Sequence, residues 1–176
     1  CSFLNINADE DAIFTNGAGN FAIWSGKYLN YSKEHRLLAP QAGAMGAGLP
    51  AAMAAKSIYP NRQVICFAGD GDFQMSVNEL GTAMQEGFNP IILIHNNGSY
   101  GTIRMHQELR YPKKISGTNL KNPNFEFIAK AYDFGYFQVT NLNEFTSAFK
   151  KSQRSQSGII IEMIADIRDI SPGKSI

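Results

Sequence analysis

Two cysteines in 176 residues, Cys1 and Cys66, are too few for a disulfide framework. Cys66 lies inside an apolar run, where a thiol acts as a small core group rather than as a ligand or nucleophile. This usage fits a reducing compartment, so the expected localisation is cytoplasmic. Net charge is equally scarce: sixteen basic against fifteen acidic residues leave +1, with no basic stripe, and the electrostatic footprint of nucleic-acid binding is missing. No apolar run approaches the roughly 20 residues of a membrane-spanning helix, and the first residues lack the charged and apolar regions of a signal peptide. Neither internal repeats nor low-complexity segments are found, which argues against a repeat architecture. What is there is 44% hydrophobic and 18% charged, enough for one sizeable core. Residues 1–176 read as a single domain. Because the first residue is Cys, that domain is expected to be part of a longer multidomain chain.

The most informative stretch runs from Val64 to Thr102. Val64 to Ala68 is an apolar run too short for a free-standing helix and closed by Gly69, so it reads as a buried strand with Asp70 at its end. Ser76-Val77-Asn78-Glu79 matches the S-x-x-E capping box. Val77, Leu80 and Met84 follow at helical spacing until Gly87 and Pro90 end the helix. Pro90 to Ile94 is a second strand. A right-handed crossover lays the two strands parallel, so Asp70 and Asn97 leave the same sheet edge, the edge at which open parallel sheets bind ligands. Asp70 offers a carboxylate oxygen and Asn97 an amide oxygen, while the Asn97-Gly98-Ser99 turn offers a carbonyl. Those hard ligands half fill an octahedron, and Mg²⁺ takes its remaining positions from phosphates and water. Backbone N–H groups of Gly71-Asp72-Phe73 form a cradle for the anion.

Elsewhere the chain reads as alternating strands and helices. Ala12 to Thr15 is a first strand and Phe21 to Leu29 a helix, with Gly17-Ala18-Gly19-Asn20-Phe21-Ala22 between them. By spacing this is G-x-G-x-x-A, the dinucleotide fingerprint. A dinucleotide site also wants an acidic residue about twenty positions on, and Leu37 to Pro40 stands there. Gln41 to Pro50 is glycine-rich and precedes an alanine-rich helix, Ala51 to Ile58; by itself Met45 would be a gap-filling core residue. Tyr100 to Gln107 starts another helix, on which Ile103 could face a substrate and His106 is a candidate acid or base, weighed against an ordinary surface histidine. His95 would only set loop geometry. Arg110 to Asn124 is polar with few apolar anchors and reads as a mobile surface segment or lid. Asn124 to Tyr132 and Asn143 to Lys150 are helices, Gly135 to Val139 and Ile159 to Ile164 strands, and the tail after Asp166 loses periodicity. Together these predict a doubly wound parallel α/β sheet of about five or six strands.

Gly69-Asp70-Gly71, twenty-four residues, then Asn96-Asn97 resembles the thiamine diphosphate motif of 2-oxoacid decarboxylases and acetohydroxyacid synthases. The longer GDGDFQMSVNELGTA and NNGSYGTIRMHQE look like the acetolactate synthase branch and its relatives. The resemblance spans Ile13 to about Ile164 and implies the diphosphate-binding half of a thiamine diphosphate enzyme that decarboxylates pyruvate and joins it to a second ketoacid. A simple 2-oxoacid decarboxylase is the alternative within that superfamily. It implies Mg²⁺ held by Asp70, Asn97 and the Ser99 carbonyl, with diphosphate contacts from Gly19, Asn20, Gly71, Asp72, Tyr100, Gly101 and Thr102. The glycine-rich loop is similar to the family's G-x-M-G-x-G-L-P. There the backbone matching Gly43 bonds the aminopyrimidine, and the residue matching Met45 wedges between the rings so that the bent cofactor can remove its own proton. Synthase-type members often carry histidine where this chain has Phe21. They also commonly carry a tryptophan and glutamines where it has Arg104-Met105-His106-Gln107-Glu108.

In that family the glutamate that activates the pyrimidine comes from another domain, so no catalytic residue is assigned within this chain. The implied partners are a pyrimidine-binding domain of the same or another subunit, in a homodimer or homotetramer, and a small 2-oxoacid. FAD, where the parent enzyme uses it, would bind outside this domain. Two other classes stay open on the sequence: a dinucleotide-dependent oxidoreductase domain and a non-catalytic cofactor-binding module.

Overall fold

The computed structural model describes residues 1–32 and 34–175. In chain order the elements are α1 (Leu4–Asn7), β1 (Ile13–Asn16), α2 (Phe21–Tyr28), β2 (Arg36–Leu38), α3 (Gly48–Ile58), β3 (Val64–Gly69), α4 (Asp70–Gln74), α5 (Glu79–Glu86), β4 (Ile91–Asn96), α6 (Gly101–Arg110), α7 (Phe125–Ala131), β5 (Gly135–Val139), α8 (Leu142–Ser152), β6 (Ile159–Ile164), β7 (Asp169–Ser171) and β8 (Lys174–Ser175). The first six strands form one sheet in the order β2-β1-β3-β4-β6-β5, and every pairing in it is parallel. This is the doubly wound α/β sheet that the sequence predicts.

The two-residue period of the strands explains its two-sided core. Val64, Cys66 and Ala68 of β3 and Ile92 and Ile94 of β4 face Leu49 and Met53 of α3, Leu80 of α5 and Phe125 of α7. The alternate residues, Ile65, Phe67, Ile91 and Leu93, face Leu4 of α1, Leu29 beyond α2, and Ala148 and Phe149 of α8. Strands covered on both faces need apolar side chains at every position, which is why β3 reads as an unbroken apolar run. Each fully buried Ile, Leu or Phe contributes about 1.5–3 kcal/mol, so this double layer is the main source of stability.

Strand order positions the site. From β1 the chain crosses one way to the edge strand β2, and from β3 it crosses the other way to β4. The loops leaving β1 and β3 therefore turn to opposite faces and open a crevice between the carboxyl ends of those strands. The register brings Gly69 opposite His95, so Asp70, at the start of α4, and Asn97, at the start of the loop after β4, lie side by side.

Three local expectations change. The Ser76–Glu79 capping box does not form: helix α5 begins only at Glu79, and its N-cap Asn78 makes no side-chain cap bond. The amides that such a box would satisfy are taken by carbonyls three residues back, Ser76 to Phe73 at 3.3 Å and Glu79 to Ser76 at 2.9 Å, in tight turns that follow α4. Ser76 Oγ is left buried without a partner among the described residues. The predicted surface lid is fastened instead of free. Thr118 O accepts the Tyr100 amide at 2.9 Å, and the Leu120 amide donates to Gly98 O at 2.8 Å; the unbroken exposed run, 109–117, ends at the buried Thr118. Lastly, the tail forms an antiparallel hairpin, β7 and β8, whose turn the Pro172-Gly173 dipeptide signals.

Candidate functional site

Eleven of the expected site residues line one cleft at the carboxyl ends of β1, β3 and β4: Gly19, Asn20, Met45, Asp70, Gly71, Asp72, Asn97, Ser99, Tyr100, Gly101 and Thr102. Phe21, His95 and Ile103 join them, with Asp169 from the C-terminal hairpin. Gly43 is exposed outside the cleft, and its amide donates to Pro40 O at 3.1 Å. His106 is exposed on α6 and also lies outside the lining.

Asp70 is 2% exposed and its carboxylate is held from three sides. Oδ1 accepts the Gly71 amide at 3.0 Å; Oδ2 accepts the Gly98 amide at 2.9 Å and Asn122 Nδ2 at 2.6 Å. A carboxylate has about four acceptor positions, so the orientation is fixed and one position on Oδ1 remains for a cation. The Gly98 turn has the positive φ, +65°, that its glycine permits at no steric cost. Within it Asn97 Oδ1 accepts the Ser99 amide at 3.1 Å, and Ser99 Oγ donates to Thr118 O at 2.8 Å.

Asn122 holds Asp70 in place, a contact that the sequence reading missed. One N–H of its amide goes to Asp70 and the other to Asn96 Oδ1 at 2.9 Å, while its oxygen accepts Gln74 Nε2 at 2.9 Å. Nothing near Asn122 in sequence announces this, because its partner Asp70 is fifty-two residues away.

The Asp72 side chain ties neighbouring segments together. Its carboxylate is buried, and Oδ1 accepts the amides of Ala18 at 3.1 Å and Gly46 at 2.8 Å. It thereby ties the loop after β1 and the loop before α3 to helix α4. Burial pushes its carboxyl up, against the opposing pull of the Gly46, Ala18 and Gly69 amides. Asn20 and Thr102 are a second tie: the Asn20 amide donates to Thr102 Oγ1 and Thr102 Oγ1 to Asn20 Oδ1, both at 3.0 Å. Burial also lowers the His95 pKa, opposed by Asp70 and Asp169.

The residues fit a magnesium diphosphate. Among the described residues no group of three His, Cys, Asp or Glu side chains converges on a metal-sized site. A cation here would rely on one carboxylate, amide and carbonyl oxygens and the ligand's own phosphates, which is the pattern of Mg²⁺. Glycine lets the site's side chains pack closely against the backbone. A Cβ on Gly71 would lie 2.6 Å from the Tyr100 ring, and one on Gly101 would lie 3.1 Å from Asn97 Nδ2.

A doubly wound sheet with polar, glycine-rich loops gathered at its switch point defines a cofactor-binding α/β domain. Residues 17–163 match the family described as "Thiamine pyrophosphate enzyme, C-terminal TPP binding domain", and the chain belongs to it. It is 32% identical over 173 residues to the acetolactate synthase large subunit of Porphyra purpurea, covering 94% of this chain and 29% of that protein. It is 33% identical over 168 residues to the acetolactate synthase large subunit of Corynebacterium glutamicum, covering 92% and 27%. A solved structure, the thiamine diphosphate-dependent 4-hydroxybenzoylformate decarboxylase of Rhodococcus jostii RHA1, superposes with a TM-score of 0.83 at 30% identity, over 93% of this chain and 31% of that one. The chain thus spans less than a third of the relatives it matches. The dinucleotide reading of Gly17 to Ala22 loses its ground: edge strand β2 ends at Leu38 with Ala39 and Pro40 beyond it and no acid for a ribose.

Proposed function

We propose that this chain holds the diphosphate end of thiamine diphosphate, through Mg²⁺, in an acetolactate synthase-like enzyme acting on pyruvate or a related 2-oxoacid. The observation that carries the reading is the convergence of Asp70, Asn97 and Ser99 with Gly19, Asn20 and Met45 on one cleft, in a chain of this family. Asp70, Asn97 and the Ser99 carbonyl would ligate the cation. Gly71, Gly101 and Thr102 would border the phosphates. Met45, half-buried at the cleft wall, would support the bend of the cofactor. Thiamine diphosphate, when bound, supplies the nucleophilic carbon and the electron sink for decarboxylation.

No glutamate among the described residues lines the cleft. The group that activates the pyrimidine would come from a pyrimidine-binding domain, and Gly43, exposed here, would meet the cofactor only once that domain closes the site. Met75, 53% exposed, and Ile103, 52% exposed, leave apolar surface beside the cleft for such a partner. The expected assembly is a homodimer or homotetramer in the cytoplasm; no helix of the described residues is long and apolar enough to cross a membrane. The test is to supply the full-length protein with thiamine diphosphate, Mg²⁺ and pyruvate. Acetolactate formed in step with carbon dioxide supports the synthase reading, and no consumption of any 2-oxoacid removes it. Likeness to a 4-hydroxybenzoylformate decarboxylase favours a second reading, decarboxylation to an aldehyde, in which carbon dioxide appears without a ligated product.

A further inference from the structure

Glu162 lies in the apolar strand β6 at 5% exposure and makes none of the four ion pairs among the described residues. A buried carboxylate without a cation is costly unless its oxygens are bonded. Here Oε1 accepts Asn96 Nδ2 at 2.5 Å, and Oε2 accepts the Tyr136 hydroxyl. The first bond has a directional consequence. A carboxylate only accepts, so it holds the amino end of the Asn96 amide toward itself and turns the amide oxygen toward the loop. There Asn96 Oδ1 accepts the Gly98 amide at 3.1 Å and Asn122 Nδ2 at 2.9 Å. Asn122 passes its second N–H to Asp70 Oδ2 at 2.6 Å. With the Asn96 amide reversed, donors would face donors at both Gly98 and Asn122, and Asn122 could keep its bond to Asp70 only with its other N–H unpaired.

We propose that Glu162, acting through Asn96 and Asn122, is a positioning residue that sets the Asp70 carboxylate and the Gly98 turn for magnesium diphosphate. The proposal rests on the functional reading above, since it concerns the same cation site. Glu162 touches neither cation nor cofactor. It fixes donor and acceptor directions in groups that do, or that border them, from the strand-side end of a bonded chain running Tyr136, Glu162, Asn96, Asn122, Asp70. Direct partners of ligating groups, as Asn122 is of Asp70, are worth about 10- to 100-fold in metal affinity, and Glu162 acts through that partner.

The test titrates Mg²⁺ into the full-length protein at fixed thiamine diphosphate by calorimetry, beside a melting curve for each variant. Glu162→Leu should weaken apparent Mg²⁺ affinity by about tenfold or more, with excess Mg²⁺ restoring cofactor binding. Glu162→Gln, which keeps an acceptor for Asn96, should stay within about threefold of wild type. Asn122→Ala should weaken Mg²⁺ by a similar factor, and the double variant should bind no worse than about threefold below the weaker single, because both changes cut one chain. A Glu162→Leu protein that melts lower yet binds Mg²⁺ as wild type does overturns the proposal, as do losses that multiply in the double variant. If Glu162→Leu does not fold, Asn122→Ala, in an irregular segment, decides: unchanged Mg²⁺ affinity there overturns it equally. Wild-type protein with no Mg²⁺-dependent cofactor binding would remove the functional reading and this inference together, whereas wild-type binding that ignores both substitutions removes this inference alone.

Discussion

Gly17 and Asp72 fit together only because one of them has no side chain: a Cβ on Gly17 would lie 1.9 Å from Asp72 Oδ1. The carboxylate occupies that space to reach the Ala18 and Gly46 amides. Gly17→Ala should therefore displace it and leave buried donors without partners. The expected loss is about 2 kcal/mol or more of unfolding free energy, since each unsatisfied buried group costs about 1–3 kcal/mol. Denaturant midpoints of the full-length protein check this, and an unchanged midpoint would show that the two loops and α4 are held together some other way.

Cys66 offers a pH test away from the cleft. Burial pushes its thiol from 9.0 up to about 12, opposed by Thr15 and helped by Asp72. The folded pKa is raised, so the stabilisation is fully present below pH 9.0 and is lost between pH 9.0 and about 12, where the unfolded chain releases a proton that the native chain keeps. The slope is about 1.4 kcal/mol per pH unit. Relative to Cys66→Ala, wild type should lose about that much between pH 8 and pH 10. In the native protein Cys1, which is exposed, should react with a thiol reagent and Cys66 should not.

Met45 separates a wedge from a core methionine. As a wedge, Met45→Ala should cut turnover of the complete enzyme on the order of 10²-fold with little change in cofactor affinity. As a core residue, it should lower the melting temperature and leave turnover per folded molecule unchanged. Steady-state kinetics alongside calorimetry distinguish the two.

The separate chain of residues 1–176 should release no carbon dioxide continuously from pyruvate, because no described glutamate borders the cleft and a half-site admits water. Sustained turnover without a partner domain would contradict that expectation.

How far the sequence carries depends on the range of the forces involved. The strands were legible because burial on both faces of β3 and β4 demands apolar side chains throughout, and Gly69 and Gly87 mark where the chain must turn. The convergence of Asp70 and Asn97 followed from one crossover rule. Ser76 misled because a capping motif is a local preference, and the turns from Phe73 to Gly81 offered the same amides nearer carbonyls. Asn122 was invisible because its role comes from contacts with Asp70 and Asn96, far away in the chain. Glu162 left a trace: a single charge inside Ile159-Ile160-Ile161-Glu162-Met163-Ile164 is an anomaly that only a buried hydrogen-bond partner explains.

The most direct test of the account is thiamine diphosphate binding to the full-length protein, measured by calorimetry with Mg²⁺ and with a chelator, for wild type and Asp70→Asn. The asparagine keeps the volume and one acceptor oxygen, which in the Oδ2 position still serves Gly98 and Asn122 and leaves only the Gly71 amide unmatched, so the stability cost is limited. The account predicts wild-type binding that vanishes with the chelator, and in Asp70→Asn a loss of at least about tenfold in a protein that still folds. Equal cofactor affinity in the two proteins, or binding indifferent to Mg²⁺, would contradict it.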